Sequence, residues 1–295
     1  MLMLVLLAGA VAAAWLVSEA RYYDPRAAVD LLADIRRQGL GSYWPDEPSE
    51  NWYLVYGPQG RAVGWSVERR VGRADGGFAG ARIEEYDGVL SIERWQLDDS
   101  AATGEYRADQ WQFRNVRVSG RPVKVSVKMP ATEIQLTAGG VGVLRSDGER
   151  KVSAEASDPP ANYIPEGLSN LAIYQAALKG RKTEFLLIQN SAAISGKSVV
   201  FTPLRVKPVG GRVVELDLGN YVKTIAFDET GRMVRSADSQ GGQDAQWMEL
   251  STAEAVASRF PRARRYLRPT TAPAEPETQP ATREAEDNGG MKTED

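Results

Sequence analysis

The side chains that could do chemistry here are few in kind. The 295 residues include no histidine and no cysteine. That removes imidazole general bases, thiolate nucleophiles, the usual zinc ligand sets and disulfides. What remains is carboxylates, lysine, tyrosine, serine and threonine. A carboxylate pair flanking a glycosidic bond is the chemistry that survives this filter. The acidic doublets Glu84–Glu85 and Asp98–Asp99 are the first places to look. Neighbours on a strand point to opposite faces, so neither doublet makes such a pair alone, and both read as solvated surface. Glu133 and Glu166 are the acids that a glycan hydrolase would draw on. No catalytic residue, metal site or cofactor is assigned.

A second set could bind rather than react. Trp52, Trp65, Trp95 and Trp111 sit on strand-like segments. Tyr163, Glu166 and Tyr174 lie around the start of the central helix. Together they are candidates for an aromatic ligand cleft, with core packing and helix capping as the competing assignment. A third set, Arg259, Arg262, Arg264, Arg265 and Arg268 in "RFPRARRYLR", could contact an anionic surface or the acidic tail that follows. That tail carries seven acids against Arg283 and Lys292. The glycines of "AGGVG" (138–142) lack a phosphate-loop pattern and read as a turn.

The elements that must hold these residues are mostly strands. Apolar content of 42% and charged content of 25% are enough for an ordinary core. The net charge of −3 argues against a general nucleic-acid binder. Residues 1–17 carry no charged side chain and are followed by small residues suited to cleavage, at Ala12 and Ala14 or Ser18 and Ala20. Residues 1–20 therefore read as a signal peptide or membrane anchor without the usual basic n-region. This implies an exported, periplasmic or envelope protein, held at the inner membrane if the segment is uncleaved. Residues 21–49 are expected to hold a short helix, with Asp24 as N-cap, Pro25 at N1 and Gly39 at the end, followed by a proline-broken linker.

Residues 50–268 form the expected β-rich domain, with strand runs at 50–156 and 183–250 around a helix at 166–179. Turn signals recur at 57–60, 74–77, 86–88, 119–120 and 146–148. "PVKVSVKM" alternates cleanly, as a half-solvated antiparallel strand would. "WQFRNVRV" changes parity near Asn115, which suggests a bulge or bend. The helix stripe is Leu168, Leu171, Ala172, Gln175 and Leu178. A late hairpin turns on Asp228–Gly231. A helix over 251–260 is capped by Ser251 or Thr252. Residues 269–295 are Pro- and Glu-rich, and their composition predicts disorder. The fold class that follows is mainly β: a large curved antiparallel sheet or open half-barrel, with one central plug helix and short N- and C-terminal helices.

The segments "NWYLVYGPQGRAVGWSVERR", "NYIPEGL" and "IAFDETGRMVRSAD" give the stretch 50–237 a resemblance to bacterial envelope lipoprotein-carrier (LolA-like) β-domains. The resemblance implies binding of acyl chains, or service as a scaffold for an envelope partner. It carries over no lipid-gating residue, and the chain lacks the lipidated cysteine of lipoprotein members. The expected function is a non-enzymatic envelope protein that binds an apolar or amphipathic ligand or scaffolds an envelope partner. The alternatives are a carboxylate hydrolase of envelope glycans and a pure interaction module.

Overall fold

The computed structural model of the chain describes residues 22–118, 121–188, 193–217, 222–240 and 243–267. The expected export segment, the acidic tail and Arg268 lie outside them. Among the described residues no helix is long and apolar enough to cross a membrane.

Helix α1 (Pro25–Gln38) starts where its capping residues dictate: the Asp24 carboxylate accepts from the Arg26 N–H at 2.9 Å. It ends at Gly39, at φ +78°. Ala28, Leu31, Leu32 and Ile35 form its buried stripe. Nine strands follow: β1 (Ser49–Tyr56), β2 (Ala62–Gly72), β3 (Phe78–Tyr86), β4 (Val89–Leu97), β5 (Gly104–Val118), β6 (Arg121–Lys128), β7 (Ala131–Thr137), β8 (Gly140–Ser146) and β9 (Lys151–Ala156). Helix α2 (Ser169–Lys179) separates them from β10 (Thr183–Leu187), β11 (Ile194–Ser195), β12 (Ser198–Val199), β13 (Thr202–Gly210), β14 (Val213–Asp217), β15 (Val222–Phe227), β16 (Met233–Gln240) and β17 (Gln243–Ser251). Helix α3 (Ala253–Arg259), capped by the Thr252 hydroxyl, and a 3-10 turn (Pro261–Tyr266) complete the described chain.

Both strand runs belong to one 15-stranded sheet. Its order is β10-β13-β14-β15-β16-β17-β1-β2-β3-β4-β5-β7-β8-β9, with β6 paired to β5. Every pairing in it is antiparallel. Laid flat, the path from β10 to β9 would span about 60 Å at ~4.8 Å per strand. Yet only six residue steps separate Ala156, at the end of β9, from Asn162, which bonds to the free edge of β10. Leu186 donates to the Asn162 carbonyl at 2.9 Å, and Ile164 donates to Leu186 at 2.7 Å. Six residues reach about 20 Å at most, so the sheet curls until its two edges face each other. The loop before α2 spans the gap without closing a barrel.

The sheet has an inner and an outer core. Inside, α1 and α2 pack on Tyr53, Val55, Phe78, Leu97, Phe185, Val206, Val214 and Ile225. A second inner cluster gathers Tyr106, Ile134, Leu136, Val141, Val143 and Tyr163. Outside, α3 and the 3-10 turn cover Trp52, Leu54, Trp65, Val67, Ile83 and Ile92.

Four local expectations need correction. The central helix begins at Ser169 rather than near Glu166, because Pro165–Leu168 forms a turn with Gly167 at φ +90°. Its buried residues are Leu171, Ala172, Ile173, Tyr174, Ala176 and Ala177, while Leu178 is 52% exposed. A helix lodged inside a curled sheet is covered on several sides and has no single apolar stripe. The β5–β6 register runs unbroken through Asn115↔Lys124. The strand changes neighbour further upstream instead: β5 pairs with β7 up to Ala108 and with β6 from Trp111. The hairpin then leaves the sheet, so Val125, Val127 and Met129 are exposed rather than facing a core. The last strand of the expected run 183–250, β17, is the central strand that joins the two runs.

Candidate functional site

Two places on this scaffold combine polar groups with space. The first is a cleft of about 460 Å³ on the outer face of β2–β5 and β7. Its hollow has a simple origin: Ala79 and Ala81 lack bulk where Ile83 further along β3, and Ile92, Arg69 and Arg94 on the flanking strands, carry larger side chains. Tyr266, from the 3-10 turn, lines it as well. The rim is a cross-strand row, Arg69↔Ala81↔Arg94↔Arg107↔Glu133. Arg69 donates to Glu50 at 2.8 Å and to the Tyr266 carbonyl. Arg107 clamps the buried Asp109 at 2.7 Å and Glu133 at 2.5 Å. Arg94 reaches Asp109 only at 3.9 Å. The rim is thus a balanced network that fixes three guanidinium groups around an apolar floor.

The second place is a polar recess on the inner face. The row Glu68↔Arg82↔Glu93 crosses β2–β4, and the next row is Tyr53↔Ser66↔Glu84↔Ser91. Arg82 donates to Glu84 at 2.6 Å and lies 4.0 Å from Glu68. The Glu84 carboxylate, with Glu68 and Glu93 beyond it, holds the Arg82 guanidinium well above its ordinary range. Burial pushes Glu68 and Glu93 up, and the Arg82 charge opposes it in both. Asn170, at the start of α2, hydrogen-bonds Glu68, and Tyr106 does the same for Glu93. Above them, Glu166 accepts from the Tyr163 hydroxyl at 2.9 Å, and burial raises its pKa to about 7 despite that bond. The side chains of Glu68, Glu84 and Arg82 keep 20–37% exposure although protein surrounds them. That combination describes a recess open to water. Among the described residues no group of three or more acidic side chains could hold a metal ion.

The structure divides the residues singled out from sequence between these faces. Trp52 and Trp65 pack together on the outer face (ring centroids 6.0 Å apart), with Tyr266 over Trp65 and Trp111 alongside. Trp95 is on the inner face, 5.6 Å from Trp44 and pressed between Gly80 and Gly167. The four tryptophans therefore line no common cleft. Tyr163 and Glu166 are brought together. Tyr174 instead pins α2 to the late hairpin, donating to the Glu229 carbonyl at 3.0 Å. Of the arginines, Arg262 pairs with Glu85 at 2.7 Å and stacks on Phe113, and Arg264 donates to the Ala257 carbonyl. Arg259 and Arg265 face solvent. Glu84 and Glu85 do point to opposite faces, but neither is simply solvated: Glu84 joins the recess, and Glu85 holds Trp65 and Arg262. Asp98 caps the turn to Thr103, and Asp99 accepts from Gly41.

The inner acids Glu68 and Glu93 were not singled out from sequence. The available signal was a charge at alternate positions in three successive strands, "VERR", "ARIEE" and "SIER", opposite Val67, Ile83 and Ile92. No family model matches the chain, and no curated protein matches it. Among solved structures it is similar to the crystal structure of a beta-barrel-like protein of the domain of unknown function DUF1849 from Brucella abortus. The identity is 14%, over 70% of this chain and 96% of that one, with a TM-score of 0.42.

Proposed function

We propose that this chain is a non-enzymatic ligand-binding half-barrel of the cell envelope, and that its outer cleft takes an amphipathic molecule with an anionic head. The observation that carries this reading is the cleft itself. Its volume of about 460 Å³ falls in the range of small-molecule sites, and an apolar floor with a few fixed polar groups is their usual make-up. An acyl chain fits over Ala79 and Ala81, and its acidic head meets Arg94, the guanidinium of the rim with the longest ion-pair distance. The uncharged N-terminal stretch supports export, and the resemblance to lipoprotein-carrier domains supports an acyl ligand.

Native mass spectrometry tests this on the full chain purified from a bacterial envelope without detergent. A co-purifying lipid mass that disappears in Ala81→Trp, which fills the cleft floor, is the expected result. A clean apo mass that stays clean after incubation with envelope lipid extract overturns the reading. The glycan-hydrolase alternative drew on Glu133 and Glu166. Glu133 is on the outer face with Arg107 and Glu166 on the inner side with Tyr163, so the two do not flank one bond.

A further inference from the structure

The inner recess has no part in that reading, and it carries too much negative charge for its own residues. Glu68, Glu84 and Glu93 surround the single guanidinium of Arg82, and Glu166 adds a fourth carboxylate beside Glu93. Arg70, the next inward residue on β2, turns away onto the Trp44 ring, 4.7 Å from its centroid. With Glu68, Glu84 and Glu93 all ionised, two negative charges are left over, and a third when Glu166 also ionises. Fully buried polar atoms stand beside them without partners: the hydroxyl of Ser66, on a residue at 0% exposure, together with Ser91 Oγ. Tyr53 and Ser66 occupy the row that leads to Glu84, and Tyr53 faces Glu68. Buried polar groups are ordinarily satisfied, so each exception asks for an explanation.

We infer that this recess is a binding site for a small organic cation bearing a primary ammonium group. Carboxylates supply the charge, and the hydroxyls of Ser66 and Ser91 supply acceptors. The occupant is organic rather than a metal ion, because the carboxylates flank Arg82 instead of converging on one point. Binding is linked to protons. Burial raises Glu68 and Glu93, and an arriving ammonium favours their ionised forms. The groups facing Glu93 are Arg82 and Glu84 of β3, Glu68 of β2, Tyr106 of β5, and Glu166 of the loop before α2. Those facing Glu68 are Arg82, Glu84, Tyr53 and Asn170.

The test is isothermal titration of the full chain with 1,4-diaminobutane, with 1,4-butanediol as the uncharged control. Saturable binding at pH 8, at least tenfold weaker at pH 5.5, is expected, with heats that differ between buffers of different ionisation enthalpy as protons are released. Glu68→Gln and Glu93→Gln should each weaken binding about tenfold, and circular dichroism melts report whether both stay folded. Absence of binding up to millimolar diamine at pH 8 overturns the inference. So does equal binding of the diol, or an affinity that neither variant changes. The Ala81→Trp variant, which blocks the outer cleft, should bind the diamine as the unmodified chain does, so the two sites are judged separately.

Discussion

Gly167 offers the sharpest test of how the sheet is plugged. It lies at φ +90°, and a Cβ there would sit 2.3 Å from an indole carbon of Trp95. Carbon atoms rest at about 3.5–4.0 Å, so Gly167→Ala forces a retreat of more than 1 Å on a ring that Gly80 already backs on the other side. Two costs add. The left-handed conformation costs an alanine roughly 1–2 kcal/mol, and overpacking costs about 1–3 kcal/mol, giving ~2–5 kcal/mol in all. Gly76 is the control: it lies at φ +83° with nothing within 4 Å, so Gly76→Ala carries only the first cost. Urea unfolding followed by tryptophan fluorescence reads both variants, with an unchanged m-value as the condition for comparing midpoints. Gly167→Ala should be the less stable by about 1–3 kcal/mol. If the two variants agree within ~0.5 kcal/mol, the loop is not seated on Trp95 and the account of the plug fails.

Three further outcomes follow from the same geometry. Arg82→Met strips the inner carboxylates of their cation. A broken buried pair costs about 3–5 kcal/mol, and the partial exposure of Arg82 places the loss near ~2–3 kcal/mol at pH 8, recovering toward pH 5 as the acids protonate; urea midpoints at both pH values measure it. Glu166 has its pKa raised from 4.5 to about 7, so the folded state holds that proton more tightly than the unfolded chain. Its contribution is complete below about 4.5 and lost as pH rises through about 7. Glu166→Gln, neutral throughout, should therefore gain on the unmodified chain between pH 5 and 8, by ~1–3 kcal/mol, and parallel pH–stability curves would contradict this. Thr252→Ala removes the hydroxyl that accepts from Ala255 at 3.2 Å; it should cost about 1 kcal/mol and loosen the outer cover, seen as faster proteolysis near residue 260.

What the sequence made legible was local. The caps of α1 and α3 and the Asp228 hairpin follow from residues within a few positions of one another, and the mainly β, half-barrel class followed from the recurring strand and turn signals. The passages that misled are those where the environment comes from far along the chain. "VKVSVKM" alternates as a core strand does, yet its hairpin projects past the sheet, and no local pattern states whether a face has a neighbour. "QDAQWMELS" carries no clean alternation, although Met248 and Leu250 face the core because β1 lies beside them. The inner acids were hidden for the same reason. Alternating polar positions on β2–β4 look solvated until the sheet curls and α2 is placed over them, while their apolar counterparts need α3, more than 150 residues later, to be covered at all.

The seam between β1 and β17 has a consequence for how the protein comes into being. Trp52 pairs with Ser251, 199 residues further on. At ~5–20 residues per second, a ribosome needs about 10–40 s between making the two strands. Throughout that interval the first nine strands have β1 as an open edge, and the tryptophan face that α3 will cover lies bare. Such an edge invites pairing with another copy. A chain made in this order depends on being kept apart from its siblings until its last strand arrives, so its yield should fall with the density of nascent chains more steeply than its equilibrium stability would suggest. Co-translational pulse-labelling at low and high expression would show whether it does.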